Sequence, residues 1–412
     1  MKIAKLAGVL PVIGICISLL CGPFGCYHKP EIPPVVLEEP DVPIQPESGV
    51  EPEKISRTGY VIVDTGQEKC FDSDRVIACP QLGEPFYGQD AQYQDIQPSY
   101  VDNGDGTVTD LNTGLMWQQD PGSKMTYREA TTGAASFELA GYDDWRLPSI
   151  KELYSLILFS GTDPSGPQNK AAVPFIDTDF FVFEYGNTDA GERIIDAQYW
   201  SSTEYVSTTI NNAATIFGVN FADGRIKGYP KDIGPQGKPM TQFTRYVRGN
   251  PEYGINDFMD NGDGTVTDTA TGLMWSQADS GEAMDWENAL TWVQDKNGER
   301  YLGYSDWRIP NAKELQSIVD YSLSPETTNS AAIDPVFFAT SIINELGEAD
   351  YPFYWTGTTH ISTAGDGKSA VYIAFGKAPG YMQNSWTDVH GAGAQRSDPK
   401  RGDPNDYPHG HG

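Results

Sequence analysis

The sequence is poor in positive charge. Its 28 Lys and Arg stand against 57 Asp and Glu, a net charge of −29. A surface this acidic repels phosphate backbones and anionic head groups, which argues against nucleic acid and against direct contact with a membrane surface. Histidine is scarce, with five residues, and neither a G-x-S-x-G nor an H-E-x-x-H segment occurs. The usual signatures of a serine hydrolase or a zinc protease are therefore missing, and the expectation is a protein that is not an enzyme. Hydrophobic residues are 39% of the chain, and no long apolar run follows Leu20. That suffices for globular cores but not for a polytopic membrane protein. Cysteine is limited to five residues. What the chain does have is 43 Gly, 29 Pro and 12% aromatics over 412 residues. Turn formers mixed with rings predict short strands and long ordered loops, in roughly two to three domains.

Lys2 and Lys5 precede an apolar stretch, Leu6–Leu20. A basic start and a short apolar run read as an export signal over 1–26. Gly25-Cys26 meets one requirement of a bacterial lipoprotein signal, so Cys26 is the candidate lipidation site, with ordinary cleavage as the alternative. Residues 27–57 are rich in Pro and Glu and are expected to form a disordered linker. The expected location is outside the cytoplasm, in the bacterial periplasm or at the cell surface, with membrane contact only through the N-terminal anchor. In that oxidising setting the closely spaced Cys70 and Cys79 are expected to form a disulfide. A two-Cys metal site is the rival, but no His lies nearby to complete it.

The body of the chain is duplicated. Asp102–Asp110 and Asp260–Asp268 both read DNGDGTVTD, and Thr-Gly-Leu-Met-Trp follows at Thr113–Trp117 and Thr271–Trp275. Gly141–Leu153 (GYDDWRLPSIKEL) matches Gly303–Leu315 (GYSDWRIPNAKEL), and Tyr199-Trp200-Ser201 matches Tyr354-Trp355-Thr356. The offset between copies stays between 155 and 162 residues, which marks duplication of a domain, over 58–250 and 255–412. Each Asn-Gly-Asp-Gly segment predicts a hairpin turn. Thr126 and Asp285 sit where N-caps belong, ahead of helices over 127–139 and 286–295; Ser149-x-x-Glu152 and Asn311-x-x-Glu314 are capping boxes ahead of helices over 150–159 and 312–321. Residues 214–226 and 370–382 alternate like hairpins. The predicted class is α+β, with two helices and short antiparallel strands per copy.

The ordered set D-N-G-D-G-T-V-x-D, T-G-L-M-W, W-R-[LI]-P-x-x-x-E-L and [YW]-W-[ST], closed by Tyr-Val-Arg at 246–248, resembles the C-terminal domain family of the Legionella collagen-like adhesin, a domain of unknown function, and does so twice. That family is similar to the C-type-lectin-like fold, the scaffold also used by formylglycine-generating enzymes. The resemblance implies an exported binding module for cell-envelope polysaccharide or for a surface protein. Its alternatives are a structural subunit of the envelope or of an appendage, and an enzyme on the formylglycine-type scaffold. The acidity argues against sulfated ligands, and the paired active-site cysteines of the enzymes are absent. The second copy reaches Gly412 without a counterpart of Phe243–Arg248, which implies a partial sequence or an open sheet edge.

Asp102, Asn103, Asp105 and Asp110, with their twins Asp260, Asn261, Asp263 and Asp268, could gather oxygens around calcium, the one cofactor the sequence admits and none being required. The simpler reading is that Asn-Gly and Asp-Gly serve a tight turn. Trp145-Arg146 and Trp307-Arg308 precede a Pro and a helix cap, a place for a core pin and an arginine tied to a carboxylate. Tyr205, His360 and Trp386 come from segments that do not match between copies, where ligand contacts more often lie.

Overall fold

The computed structural model describes residues 4–6, 59–166, 171–234, 237–382 and 384–402. Apart from the backbone of residues 4–6, the expected export signal, Cys26 and the 27–57 linker lie outside the described residues. Strand β1 is Ala4–Leu6, and β2 (Cys70–Phe71) and β3 (Val76–Ile77) form a small hairpin. The first copy comprises β4 (Tyr100–Asp102), β5 (Thr107–Asp110), β6 (Leu115–Gln118), β7 (Met125–Thr126), α1 (Tyr127–Ala134), α2 (Ile150–Ser155), β8 (Gln198–Thr209), β9 (Ala213–Asn220), β10 (Arg225–Pro230), β11 (Thr241–Gln242) and β12 (Val247–Gly249). The second comprises β13 (Phe258–Asp260), β14 (Thr265–Asp268), β15 (Leu273–Ser276), α3 (Trp286–Gly298), α4 (Ala312–Ser317), α5 (Pro325–Thr328), β16 (Ile342–Ile343), β17 (Ala349–Asp350), β18 (Phe353–His360), β19 (Ser369–Ala374), β20 (Pro379–Met382), β21 (Ser385–Asp388) and β22 (Gln395–Pro399). The class is mixed α and β with antiparallel sheets, in two tandem copies.

Local chemistry sets the repeated pieces. In each copy Asn-Gly-Asp-Gly reverses the chain between two strands, with Gly104 and Gly106 at φ 73° and 88°, a region that side chains disfavour. The third strand adds on the far side, giving β4–β5–β6 and β13–β14–β15. Thr126, Asp285, Ser149 and Asn311 all cap the helices predicted for them, each accepting a hydrogen bond from the amide three residues on. The helices end at different places from those expected. α2 and α4 stop after one turn and a half because the Ser155 and Ser317 hydroxyls bond back to the Glu152 and Glu314 carbonyls, each at 2.7 Å, and the chain turns to bury Leu156–Ile157 and Ile318–Val319.

The copies do not stand apart. A six-stranded sheet runs β18-β19-β22-β10-β9-β8, so each copy supplies three strands in mirrored order. β10 and β22 join them, with Ile226 opposite Gln395. In the first copy β9 and β10 form the predicted hairpin. The hairpin expected over 370–382 is not what forms: β19 pairs with β22, and the intervening chain makes a separate hairpin of β20 and β21. The aromatic and aliphatic core is continuous across this sheet, including Tyr154, Phe217 and Ile226 of one copy and Leu315, Val371 and Ile373 of the other.

Two further segments cross between copies. The lead-in over 59–99, stapled by the Cys70–Cys79 disulfide as expected, precedes the first copy in sequence but packs on both, with the Thr65 carbonyl accepting from the Phe159 amide at 2.7 Å on the first. Gln67 exchanges hydrogen bonds with the Thr359 backbone, its Nε2 donating to the carbonyl at 2.7 Å and its Oε1 accepting from the amide at 2.8 Å. Strand β1 lies on the outer edge of β15, with Ala4, Lys5 and Leu6 opposite Trp275, Met274 and Leu273. In the first copy the same edge of β6 is held by β12, with Val247, Arg248 and Gly249 opposite Trp117, Met116 and Leu115.

Candidate functional site

The W-R-x-P-x-x-x-E-L motif builds the same device in each copy. Trp145 and Trp307 are buried at 4% and 1% exposure, and their indole N–H groups donate to the Leu139 and Tyr301 carbonyls. The following arginine forms a two-pronged pair with the capping-box glutamate: Arg146 Nη1 lies 2.6 Å from Glu152 Oε2, and Arg308 Nη1 lies 2.6 Å from Glu314 Oε2. Each glutamate also accepts from the cap amide at 2.8 Å, so one carboxylate holds both the helix start and the preceding loop. Trp and Arg are thus a core pin and a tie, as the sequence suggested.

The two devices differ in cover. The lead-in seals the second: Asp95 lies 3.8 Å from Arg308, the Tyr93 ring 5.4 Å from its guanidinium, and Asp90 accepts from the Thr65 and Thr358 hydroxyls at 2.8 and 2.6 Å. Burial pushes the Asp90 carboxyl up to about 7 against the pull of those hydroxyls, and burial together with Glu314 pushes Asp95 up to about 6. The side chain of Arg308 is 6% exposed whereas that of Arg146 is 35% exposed. A buried, fully bonded arginine–carboxylate cluster of this kind holds loops in place and offers no room for a substrate.

The acidic turns are occupied by their own backbone. Asp102 and Asp260 accept from the Gly104 and Gly262 amides at 2.8 Å, and Asp105 and Asp263 accept from the Thr107 and Thr265 amides and hydroxyls. Asn103 and Asn261 donate across the hairpin to threonine hydroxyls. Asp110 and Asp268 are buried and point away from the turn tip, toward the amides of the next turn. Among the described residues no group of three or more His, Cys, Asp or Glu is placed to hold a metal ion.

Of the three side chains expected to meet a ligand, two are inside. Tyr205 is 5% exposed, and its hydroxyl donates to Glu326 at 3.0 Å and Asp388 at 3.3 Å. His360 is 4% exposed, stacks on Phe175 at 5.5 Å and donates from Nε2 to the Asp223 carbonyl at 2.8 Å. Burial, with the nearby Arg225, pushes its imidazole down to about 4 and keeps it neutral. Both lie in segments that differ between the copies, but the difference marks the seam between copies, where side chains are buried. Trp386 alone keeps an exposed part. It lies on β21, edge-on to Tyr381 of β20 at 5.6 Å.

A cleft that no motif marks opens in the second copy. It has a volume of about 160 Å³ and lies between the Asp279–Met284 loop, Thr340, Ile342 and the Phe353–Trp355 end of β18. Asp279 accepts from the Thr340 amide and hydroxyl at 2.7 and 2.6 Å and from the Tyr354 hydroxyl at 2.6 Å. Burial raises this carboxyl, but those donors outweigh it and hold the group below its ordinary value. Trp355 is only half-buried here, whereas its twin Trp200 is fully buried. The signal was present in the sequence, in a matched pair of tryptophans whose covering segments do not match.

A family model described as the Lcl C-terminal domain matches residues 106–248 and, again, 264–391. The matches cover more than half of the chain, and the protein belongs to that family, with two tandem copies of the domain. Neither a curated protein nor a solved structure matches the chain.

Proposed function

We propose that the protein is an exported, non-enzymatic binding protein of the cell envelope, tethered through its N-terminal segment, with both copies on a C-type-lectin-like plan. The observation that carries this reading is the β20–β21 hairpin. It pairs with no other strand among the described residues. It fills the 375–394 stretch, where the first copy has only the four-residue turn 221–224 between β9 and β10. Its Tyr381 and Trp386 are a partly exposed aromatic pair, edge to face at 5.6 Å, and an accessible ring suits the apolar side of a sugar. The charge of −29 favours a neutral glycan over a sulfated one.

The test is a glycan array probed with the full chain and with Trp386→Ala. The reading predicts micromolar binding to uncharged glycans that the substitution weakens at least tenfold. Stoichiometric co-purification with surface proteins, with no glycan bound, would instead assign the structural role.

A further inference from the structure

The repeated motif places a lysine at the same point of each copy, Lys151 on α2 and Lys313 on α4, and the two meet different groups. Lys151 Nζ donates to the Gly254 carbonyl at 3.0 Å, to the Ser317 carbonyl at 2.6 Å and to the side-chain oxygen of Asn256 at 2.8 Å. Lys313 Nζ donates to the Asp64 and Ser155 carbonyls at 2.9 and 2.8 Å, and among the described residues it bonds to no side-chain amide.

Asn256 lies just before β13, 105 residues along the chain from Lys151. Its Nδ2 donates to Asp268 Oδ2 at 2.8 Å and to the Tyr60 hydroxyl at 3.1 Å. Those two acceptors fix the amide so that its oxygen faces the lysine. Asp268 is fully buried and is itself held by the Asp257 and Ala270 amides at 3.0 and 3.1 Å and by the Thr271 hydroxyl at 2.8 Å. Tyr60 and Tyr253, each 7% exposed and with ring centres 4.9 Å apart, line the same small cavity as Lys151. The first copy has this frame without the amide. The Leu111 amide donates to the Ser99 carbonyl at 2.9 Å, as that of Thr269 donates to Asp257 at 2.8 Å, so Pro98 holds the place of Asn256. Asp110 is the twin of Asp268, and its Oδ2 meets no amide.

A lysine amine set against a carboxamide, with a buried carboxylate on the leaving nitrogen, is the set of groups that a transamidation requires. Burial lowers the Lys151 amine to about 8, against the pull of Asp268, so a neutral and nucleophilic fraction exists near neutral pH. The fold holds amine and amide together, so the step needs no diffusional encounter.

We propose that Lys151 and Asn256 join in an intramolecular isopeptide bond that ties the first copy to the second. The neutral amine attacks Cγ of Asn256, and the Nζ–Cγ bond forms as the Cγ–Nδ2 bond breaks. The proton that Nζ gives up passes to Nδ2, with Asp268 Oδ2, already hydrogen-bonded to that nitrogen, as the relay. Ammonia leaves, and no oxidant, reductant or further reactant enters. The cavity beside Lys151, about 10 Å³, has room for about one water-sized molecule and can receive it. The structure shows the two side chains in contact before the bond forms. The inference does not depend on the ligand proposed for the aromatic hairpin.

The test is tryptic mass mapping of the full chain after prolonged incubation at neutral pH. The expected product is a branched peptide joining 147–170 to 249–296, lighter than its two arms together by one ammonia, about 17 Da. The free peptide 147–151 should be depleted at least tenfold relative to 309–313, the matching peptide that ends at Lys313. Lys151→Arg and Asn256→Ala should each abolish the branch, and Asp268→Asn should slow its formation at least tenfold. On a reducing denaturing gel the linked wild type should run ahead of Asn256→Ala, because the chain between the linked residues stays looped. Full recovery of free 147–151 from folded wild type would overturn the proposal, as would an ammonia loss that maps instead to Asn103-Gly104 or Asn261-Gly262. The wild-type map decides the matter even where a variant fails to fold.

Discussion

Lys151 and Lys313 reach across the seam between the two copies to each other's helix. Lys151 Nζ donates to the Ser317 carbonyl at the end of α4 at 2.6 Å, and Lys313 Nζ donates to the Ser155 carbonyl at the end of α2 at 2.8 Å. Each cation thus meets the negative end of the opposite helix. The two residues occupy the same place in the repeated motif, and the exchange gives the pair of copies an approximate twofold centre beside β10 and β22.

Burial pushes both lysines down to about 8, against partial compensation by Asp268 and Asp64 respectively. Over pH 8–10.5 the unfolded chain therefore binds more protons at these sites than the folded one, and their contribution to stability rises with pH. Replacing Lys313 by Met removes that linkage. Wild type should gain stability relative to Lys313→Met as pH rises through this window, by on the order of 3 kcal/mol at most, since one pKa unit is about 1.4 kcal/mol. Urea unfolding of both proteins at pH 7.5 and pH 10 reads the difference. A gap that does not change with pH would show that the buried amine is not desolvated as described.

The twin arginine–glutamate pairs predict unequal losses. Arg308→Met leaves Glu314 buried without its cation, a change that typically costs about 3–5 kcal/mol. Arg146→Met leaves Glu152 beside a partly open surface, because Arg146 is a third exposed and water can replace it. Glu152 itself is buried at 3% exposure, so the loss there should still be substantial, about 1–3 kcal/mol, but smaller than at Arg308. Denaturant midpoints of the two variants decide the order.

The neutral, buried His360 sets part of the acid limit. Its folded pKa lies near 4, below the ordinary value, so between about pH 6.5 and 4 the unfolded chain takes up a proton that the folded one refuses. Stability from this site is present above pH 6.5 and is lost as pH falls to 4. His360→Phe should flatten the fall in melting temperature between pH 6.5 and 4. If wild type and variant run parallel, the imidazole is titrating normally.

Calcium should not stabilise the protein through the acidic turns. Asp102, Asp105, Asp260 and Asp263 already accept from turn amides, so a cation would have to displace those bonds. A melting temperature unchanged within about 1 °C up to millimolar calcium is expected, whereas a site with submillimolar affinity would raise it measurably. Asp105→Ala should by contrast destabilise by about 1 kcal/mol through the lost turn bonds, with or without the ion.

Much of the local structure was legible from the residues. Asn-Gly-Asp-Gly had to turn, Thr126, Asp285, Ser149 and Asn311 had to cap, and Trp145 and Trp307 read correctly as core. Each depends on chemistry within a few residues, which the sequence carries intact. Tyr205 and His360 lie buried on β8 and β18, and dissimilarity between the copies does not mark a surface loop here. It arose where the copies meet and where their side chains face different neighbours. The cleft beside Trp355 is not legible in its motif, which is the same around the buried Trp200, because a pocket is defined by what does not cover a residue.

By itself, then, the sequence determined the duplication, the turns, the caps, the disulfide and the acidic character, all of which follow from neighbouring residues or from composition. Only the tertiary structure decided that the copies share one sheet, that the lead-in covers the arginine of the second copy, and that two lysines cross the seam. Those outcomes depend on which apolar faces and strand edges find each other over long separations in the chain, and an edge pairing such as Ile226 opposite Gln395 leaves no periodicity in the residues that make it.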